Sequence, residues 1–161
     1  MEKIVSIVAM ICVGVFAGGV CAQSASLPAE QAISPIMSKM LAAANSHDTD
    51  AFMAPMEHTQ SLAFAFNGEV IQGWDALRAQ QLKWWSKSRS ATKFTYAQNG
   101  TPGILALDRD VEVVTWPLVS RWTSADGKTG SSDFVVTYIW RRTPEGWRIA
   151  YGHESWRKPP G

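Results

Sequence analysis

The chain predicts a cup-shaped α+β fold, with helices packed on a sheet around a ligand cavity. Three observations carry this. Apolar residues recur at helical spacing in the first third of the chain. Alternating, valine-rich segments joined by tight-turn signals take over in the second half. The last of these, Gly146-Trp147-Arg148-Ile149-Ala150-Tyr151-Gly152-His153-Glu154-Ser155-Trp156, starts at a turn and sets one histidine among bulky apolar residues.

The N-terminus is expected to be removed. Glu2 and Lys3 precede an apolar run over residues 4–20, and Val20-Cys21-Ala22 fits a small-residue cleavage site. Residues 1–22 therefore read as a secretory signal peptide, and the mature protein as periplasmic or secreted. Gly14, Gly18 and Gly19 interrupt the run, which lies at the short limit for a membrane anchor, so no stable span is expected after cleavage. Residues 23–157 form one domain and 158–161 a polar tail. Both cysteines, Cys12 and Cys21, leave with the signal, so no disulfide, thiolate nucleophile or cysteine metal site remains. The eight tryptophans help supply the core instead. A net charge of +1 gives no electrostatic case for nucleic acid.

Ile33, Ile36/Met37, Met40/Leu41 and Ala44 predict an amphipathic helix over 29–44, with Pro35 kinking it or marking a later start at Ser34. Asp48 or Thr49 caps a short second helix through Met53. Residues 60–66 alternate as a strand with Leu62, Phe64 and Phe66 on one face. Asn67-Gly68 is a hairpin turn signal, and residues 69–72 return. Gly73 opens a third helix over 74–87, with Trp74, Leu77, Gln81 and Trp84 on one stripe. Phe94-Thr95-Tyr96 is a candidate strand. A long strand from Leu105 or Asp110 to Trp122, another over 132–142 and a last over 147–156 form an antiparallel meander. The middle strands are apolar on both faces, Val114, Trp116 and Leu118 on one and Val113 and Val119 on the other. The second face therefore covers a cavity, helices or a partner subunit.

This order resembles the nuclear transport factor 2-like superfamily, and within it the SnoaL-like branch. The residues carrying the resemblance are His47-Asp48-Thr49-Asp50-Ala51-Phe52, Val70-Ile71-Gln72-Gly73-Trp74-Asp75-Ala76-Leu77, and Gly146-Trp147-Arg148-Ile149 through His153-Glu154-Ser155. The resemblance implies a cystatin-like α+β fold: helices on a strongly curved antiparallel sheet forming a conical pocket, with homodimers through the open sheet face. Function is not implied, because the superfamily hosts isomerases, dehydratases, hydrolases, binding modules and assembly domains. Ketosteroid-isomerase-like members carry an aspartate base on the first strand. Here that stretch is Leu62-Ala63-Phe64-Ala65-Phe66, which cannot accept a proton.

Period-two alternation along the last strand puts His153 with Trp147, Ile149, Tyr151 and Ser155. If that face lines the pocket, His153 is the acid–base candidate, with Asp133 as its orienting partner. The alternatives are a histidine satisfied by backbone and an Asp133 that caps a turn or pairs with Arg148 or Arg121. If the pocket lies on the other face, Glu154 and Trp156 take the role. His58, beside Glu57, is placed at the mouth. Phe64, Trp74, Gln81, Trp116, Tyr138, Tyr151 and Ser155 complete the ligand-binding candidates, against ordinary core packing for any single ring. No metal site is expected, since His47, His58 and His153 lie on different elements, and no cofactor motif appears. The sequence therefore supports an exported domain binding a small apolar or aromatic molecule. The alternatives are a small isomerase, dehydratase or hydrolase using His153, and a dimerisation or assembly domain.

Overall fold

A computed structural model describes residues 28–88 and 92–157, so the expected signal peptide (1–22) and tail (158–161) lie outside the described residues. Helix α1 (Ala29–Ser46) is followed by α2 (Thr49–Met53), the hairpin β1 (Ala63–Phe66) and β2 (Glu69–Gln72), and α3 (Trp74–Ser88). Then come β3 (Lys93–Gln98), β4 (Gly103–Asp108), β5 (Val111–Thr123), β6 (Thr129–Thr143) and β7 (Gly146–Trp156). The seven strands form one sheet in the order β2-β1-β7-β6-β5-β3, with β4 also paired to β5. The α+β class matches expectation. The sheet is mixed rather than wholly antiparallel, because β1 runs parallel to β7.

Local chemistry accounts for the helices. Ile33, Met37, Met40 and Ala43 are the buried stripe of α1, and Pro35 sits inside the helix, which starts well before it. His47 ends α1 in the left-handed conformation, at φ 56°. One residue later, the Asp48 carboxylate accepts from the Ala51 amide and caps α2. In α3 the most buried positions are Leu77, Gln81 and Trp85, at i, i+4 and i+8, while Trp74 and Trp84 flank this stripe, half-buried. The Asn45 amide ties α1 to the sheet. It donates to the Tyr96 carbonyl at 2.9 Å and accepts from the Tyr96 amide at 2.7 Å.

Turns fix the strands. Asn67 and Gly68 both take positive φ (49° and 83°), the conformation of a two-residue hairpin turn whose twist suits its strands. Of the two expected starts of the long strand, Leu105 and Asp110, the second holds: β5 begins at Val111, and Leu105 belongs to a separate strand, β4. β4 pairs with the first half of β5 (Gly103↔Thr115 to Asp108↔Val111) and β3 with the second (Gln98↔Leu118 to Lys93↔Thr123). Pro117 lies where β3 hands over to β4. Its carbonyl accepts from the Asn99 amide there, so the N–H it lacks falls in a gap between two ladders.

β7 carries the feature that positions the site. Ile149 pairs with Trp140, but Tyr151 pairs with Ile139, which leaves Ala150 as an extra residue. Such a bulge reverses which face later side chains occupy. Trp147 and Ile149 point into the core before it, and Gly152, Glu154 and Trp156 point inward after it. The loop before β1 braces this point. Ile149 donates its amide to the Pro55 carbonyl, and Glu57 donates its amide to the Ile149 carbonyl, each at 2.9 Å. The Glu57 carboxylate, 7% exposed, is clamped by the Arg141 guanidinium through two bonds, one of them 2.7 Å.

The core runs between α1, α2, α3 and the inner sheet face, with Ile33, Met53, Val114, Trp140 and Ile149 all at 0% exposure. Truncating a buried tryptophan such as Trp140 to alanine costs about 3–5 kcal/mol. Its indole N–H has no partner among the described residues, a local cost that burial of the large ring offsets.

Candidate functional site

A cavity of about 240 Å³ opens between the helices and the inner face of the sheet. Its walls come from every layer. Met40 and Ala44 project from α1, Phe52 from α2, and Gln81 and Trp85 from α3. Phe64, Tyr96, Trp116, Phe134, Tyr138 and Trp156 project from the strands. Of the twenty lining side chains among the described residues, eleven are aromatic, which makes the site a ring-lined pocket rather than a general apolar void. An apolar cavity of ~150 Å³ admits benzene, so this one has room for a substituted ring or a small bicyclic molecule.

One glycine makes the geometry available. Gly152 pairs with Phe64 of β1 and with Tyr138 of β6. A Cβ there would come within 2.5 Å of the Phe64 ring and 3.1 Å of the Tyr138 ring. The two rings therefore converge over β7 only because position 152 has no side chain. Phe134 stacks on Trp156 (centroids 4.2 Å apart, 15° between planes) and meets Tyr96 edge to face at 6.2 Å. The Trp116 indole is fixed by donating to Gln98 Oε1 at 3.2 Å.

Glu154 is the one carboxylate in this wall among the described residues. It forms no ion pair, and no lysine, arginine or histidine lines the cavity among the described residues. Its one hydrogen bond among the described residues comes from the indole of Trp156, two residues along the same face. Burial, which penalises the charged form, pushes the carboxyl up to about 7, and the Trp156 bond only partly opposes this. Tyr138 and Tyr96 share the cavity, and both hydroxyls are raised above the usual phenol value, first by burial and then by the nearby Glu154 charge. At neutral pH the cone thus holds two neutral phenols and a carboxyl balanced between its two forms. That set can donate or accept a hydrogen bond and can exchange a proton.

The residues expected from the sequence divide sharply. Phe64, Gln81, Trp116 and Tyr138 line the cavity together. Gln81 is buried there and has no hydrogen-bond partner among the described residues. Trp74 and His58 stand outside the lining, their rings in contact at a 32° tilt with centroids 4.0 Å apart. Tyr151, His153 and Ser155 lie on the outer face of β7, a correction that follows from the extra residue at Ala150. His153 is exposed. Asp133 does not orient it: His153 pairs with Thr137, four residues and roughly 13 Å along β6 from Asp133. Asp133 instead accepts from the Asn99 side chain (Nδ2) at 3.0 Å and pairs with Arg157 at 3.3 Å. Tyr96, Phe134 and Trp85 are lining residues that alternation did not single out. The mid-strand Gly152 was the available signal, since an isolated strand glycine marks a bulge or a close approach. No group of three or more His, Cys, Asp or Glu able to hold a metal occurs among the described residues, and none of the described helices is long and apolar enough to cross a membrane.

Comparison with known proteins agrees with this architecture. The profile of the family described as SnoaL-like domain matches residues 33–158. Comparison with curated proteins returns no match. Among solved structures the chain is similar to a nuclear transport factor 2-like superfamily protein from Salmonella enterica subsp. enterica serovar Typhimurium str. LT2. There the TM-score is 0.68 and the identity 18%, over 83% of this chain and 94% of that one. It is also similar to a ketosteroid isomerase-like protein from Erwinia carotovora atroseptica SCRI1043, with TM-score 0.65 and 18% identity over 83% of this chain and 100% of that one. A domain of unknown function with a cystatin-like fold from Nostoc punctiforme PCC 73102 gives TM-score 0.63 and 17% identity, over 83% of this chain and 80% of that one. At these identities the likeness is one of fold.

Proposed function

This chain belongs to the SnoaL-like family of the nuclear transport factor 2-like superfamily, and from that premise we propose that its cone binds a small, largely apolar molecule against Glu154. One observation carries the reading: a ring-lined cavity of about 240 Å³ into which a single unpaired carboxyl projects. A purely structural core would fill the void and pair or omit the acid, because a buried ionisable group without an opposite charge is costly. Ala44 lines the cavity from α1, so Ala44→Phe tests the reading by filling it. The expected result is loss of ligand, followed by tryptophan fluorescence and native mass spectrometry, in a protein that still folds. Unchanged ligand retention in that variant would rule the cone out as the site.

A second reading, acid–base catalysis, is favoured by the carboxyl held at about 7. Glu154 then replaces His153 as the group that moves the proton, in an isomerase, dehydratase or hydrolase. Turnover would follow a single ionisation near pH 7, and Glu154→Gln would lower it about 10²–10⁴-fold while ligand still bound. A flat pH profile between 6 and 8 would exclude it. Export rests on the N-terminal pattern; N-terminal sequencing of the mature protein is expected to start at Gln23. A homodimer would use the outer sheet face, where Val113, Val135 and Ile139 are only half-buried. Sedimentation at micromolar concentration decides that point.

A further inference from the structure

We infer that the cone selects hydrophobic organic cations: a single ring or compact alkyl frame bearing an ammonium group, seated against Glu154 and among the rings of Tyr96, Phe134 and Tyr138. This rests on the reading of the cone as a binding site and names the charge class of its ligand. Three features of the geometry point the same way. The aromatic lining offers electron-rich faces, which attract an ammonium most strongly when it is desolvated. Among the described residues, the Glu154 carboxylate is the cavity's one ionisable acid besides the two phenols, and it has no counter-cation. A single indole N–H satisfies it, where an ionised carboxylate can accept about four hydrogen bonds.

The consequences for each ligand class differ. An anion would meet a like charge in a low-dielectric site with no cation to balance either group. A neutral molecule would seal Glu154 further from water and drive it to take up a proton. A cation supplies the missing counter-charge. It displaces the carboxyl proton and leaves the occupied cavity neutral. Among the described residues, no charged or titratable side chain from α1, α2, α3, β1 or β5 lines the cavity to compete with it; Tyr138 of β6 and Tyr96 of β3 are the other titratable groups there. Because the Glu154 carboxyl sits near 7, the exchange takes place within the ordinary pH range.

Phenyltrimethylammonium, its neutral isostere tert-butylbenzene and the anion benzenesulfonate form a suitable probe set, followed by tryptophan fluorescence and calorimetry on the purified mature protein. The cation is expected to bind at least ~10-fold tighter than the isostere, and the anion not to bind. Phenyltrimethylammonium does not titrate, so any pH dependence reports the protein. Its affinity is expected to fall about tenfold from pH 8 to pH 6 as Glu154 takes up its proton. Calorimetry in two buffers of different ionisation enthalpy is expected to show proton release at pH 7. Glu154→Gln should erase both the cation preference and the pH dependence while tert-butylbenzene binds as before. Should that variant not fold, the wild-type pH dependence and proton count decide alone. Equal or tighter binding of the isostere, or proton uptake with the cation, overturns the inference and leaves the binding site standing. No binding by any of the three overturns both.

Discussion

His153 and Glu154 are neighbours in sequence with opposite surroundings. His153 faces outward and is exposed; Glu154 faces a ring-lined cavity, where burial drives its carboxyl to about 7. Histidine is the residue whose chemistry suits neutral pH, yet the carboxyl acquires that property here. Side-chain type sets the range of proton affinities open to a group. The face it occupies decides where in that range it sits. One inserted residue, Ala150, chose between the two.

Inserting one residue after Ala150 is the harshest way to break the comparison. With Ile149 held opposite Trp140, the insertion shifts the rest of β7 by one place and turns Tyr151, His153 and Ser155 inward in place of Gly152, Glu154 and Trp156. We expect a loss of at least ~3 kcal/mol in chemical denaturation, because ring packing around Phe64, Phe134 and Tyr138 would be lost at once. An insertion variant as stable as the parent would show that the register past Ala150 does not set the faces.

Glu154→Gln sharpens the comparison from the other side. The folded carboxyl titrates near 7 against an ordinary value of 4.5, so the folded state binds the proton more tightly than the unfolded state. Its stabilising contribution is complete below pH 4.5 and is lost as pH rises through about 7. That loss amounts to about 3 kcal/mol for a shift of this size. Glutamine keeps the shape without the charge. The variant should therefore be more stable than the parent by up to that amount at pH 8, with the advantage gone at pH 4. An equal difference at both pH values would mean packing rather than ionisation.

Gly152→Ala is milder and still specific. The added methyl meets Phe64 and Tyr138, so a cost of about 1–3 kcal/mol and a smaller cavity are expected. A neutral outcome would mean that these rings move aside freely. His153→Ala should do least, within ~0.5 kcal/mol in thermal unfolding and without effect on ligand retention. A larger loss would restore a role to the outer face.

The contrast also shows what sequence pattern can carry. Helix α1 and the Asn67-Gly68 hairpin were legible because apolar spacing and turn chemistry act locally. So was the long meander. Phe64, Trp116 and Tyr138 were legible as wall residues because each sits on a strand whose alternation is unbroken. The inner set on β7 was not, because alternation carried from Trp147 and Ile149 runs past a residue that the pairing skips. β4 was hidden differently. It is an edge strand with Leu105 and Leu107 exposed (61% and 59%), so its apolar run merges in sequence with β5, and only Arg109-Asp110 separates the two strands. In α3 the spacing admits either Trp84 or Trp85, and packing against Phe52 and His47 settles it for Trp85. The paired acid Glu57 and the unpaired acid Glu154 look alike in sequence. Arg141 is 84 positions from Glu57, and only folding brings them together.

The most direct measurement is the ionisation of Glu154 itself, by carboxyl-carbon NMR of the protein labelled at glutamate, assigned by the signal missing in Glu154→Gln. A midpoint near pH 7, moving downward when phenyltrimethylammonium is added, is the predicted result. A midpoint near 4.5 would place this carboxyl in water, and the account of the cone would fall with it.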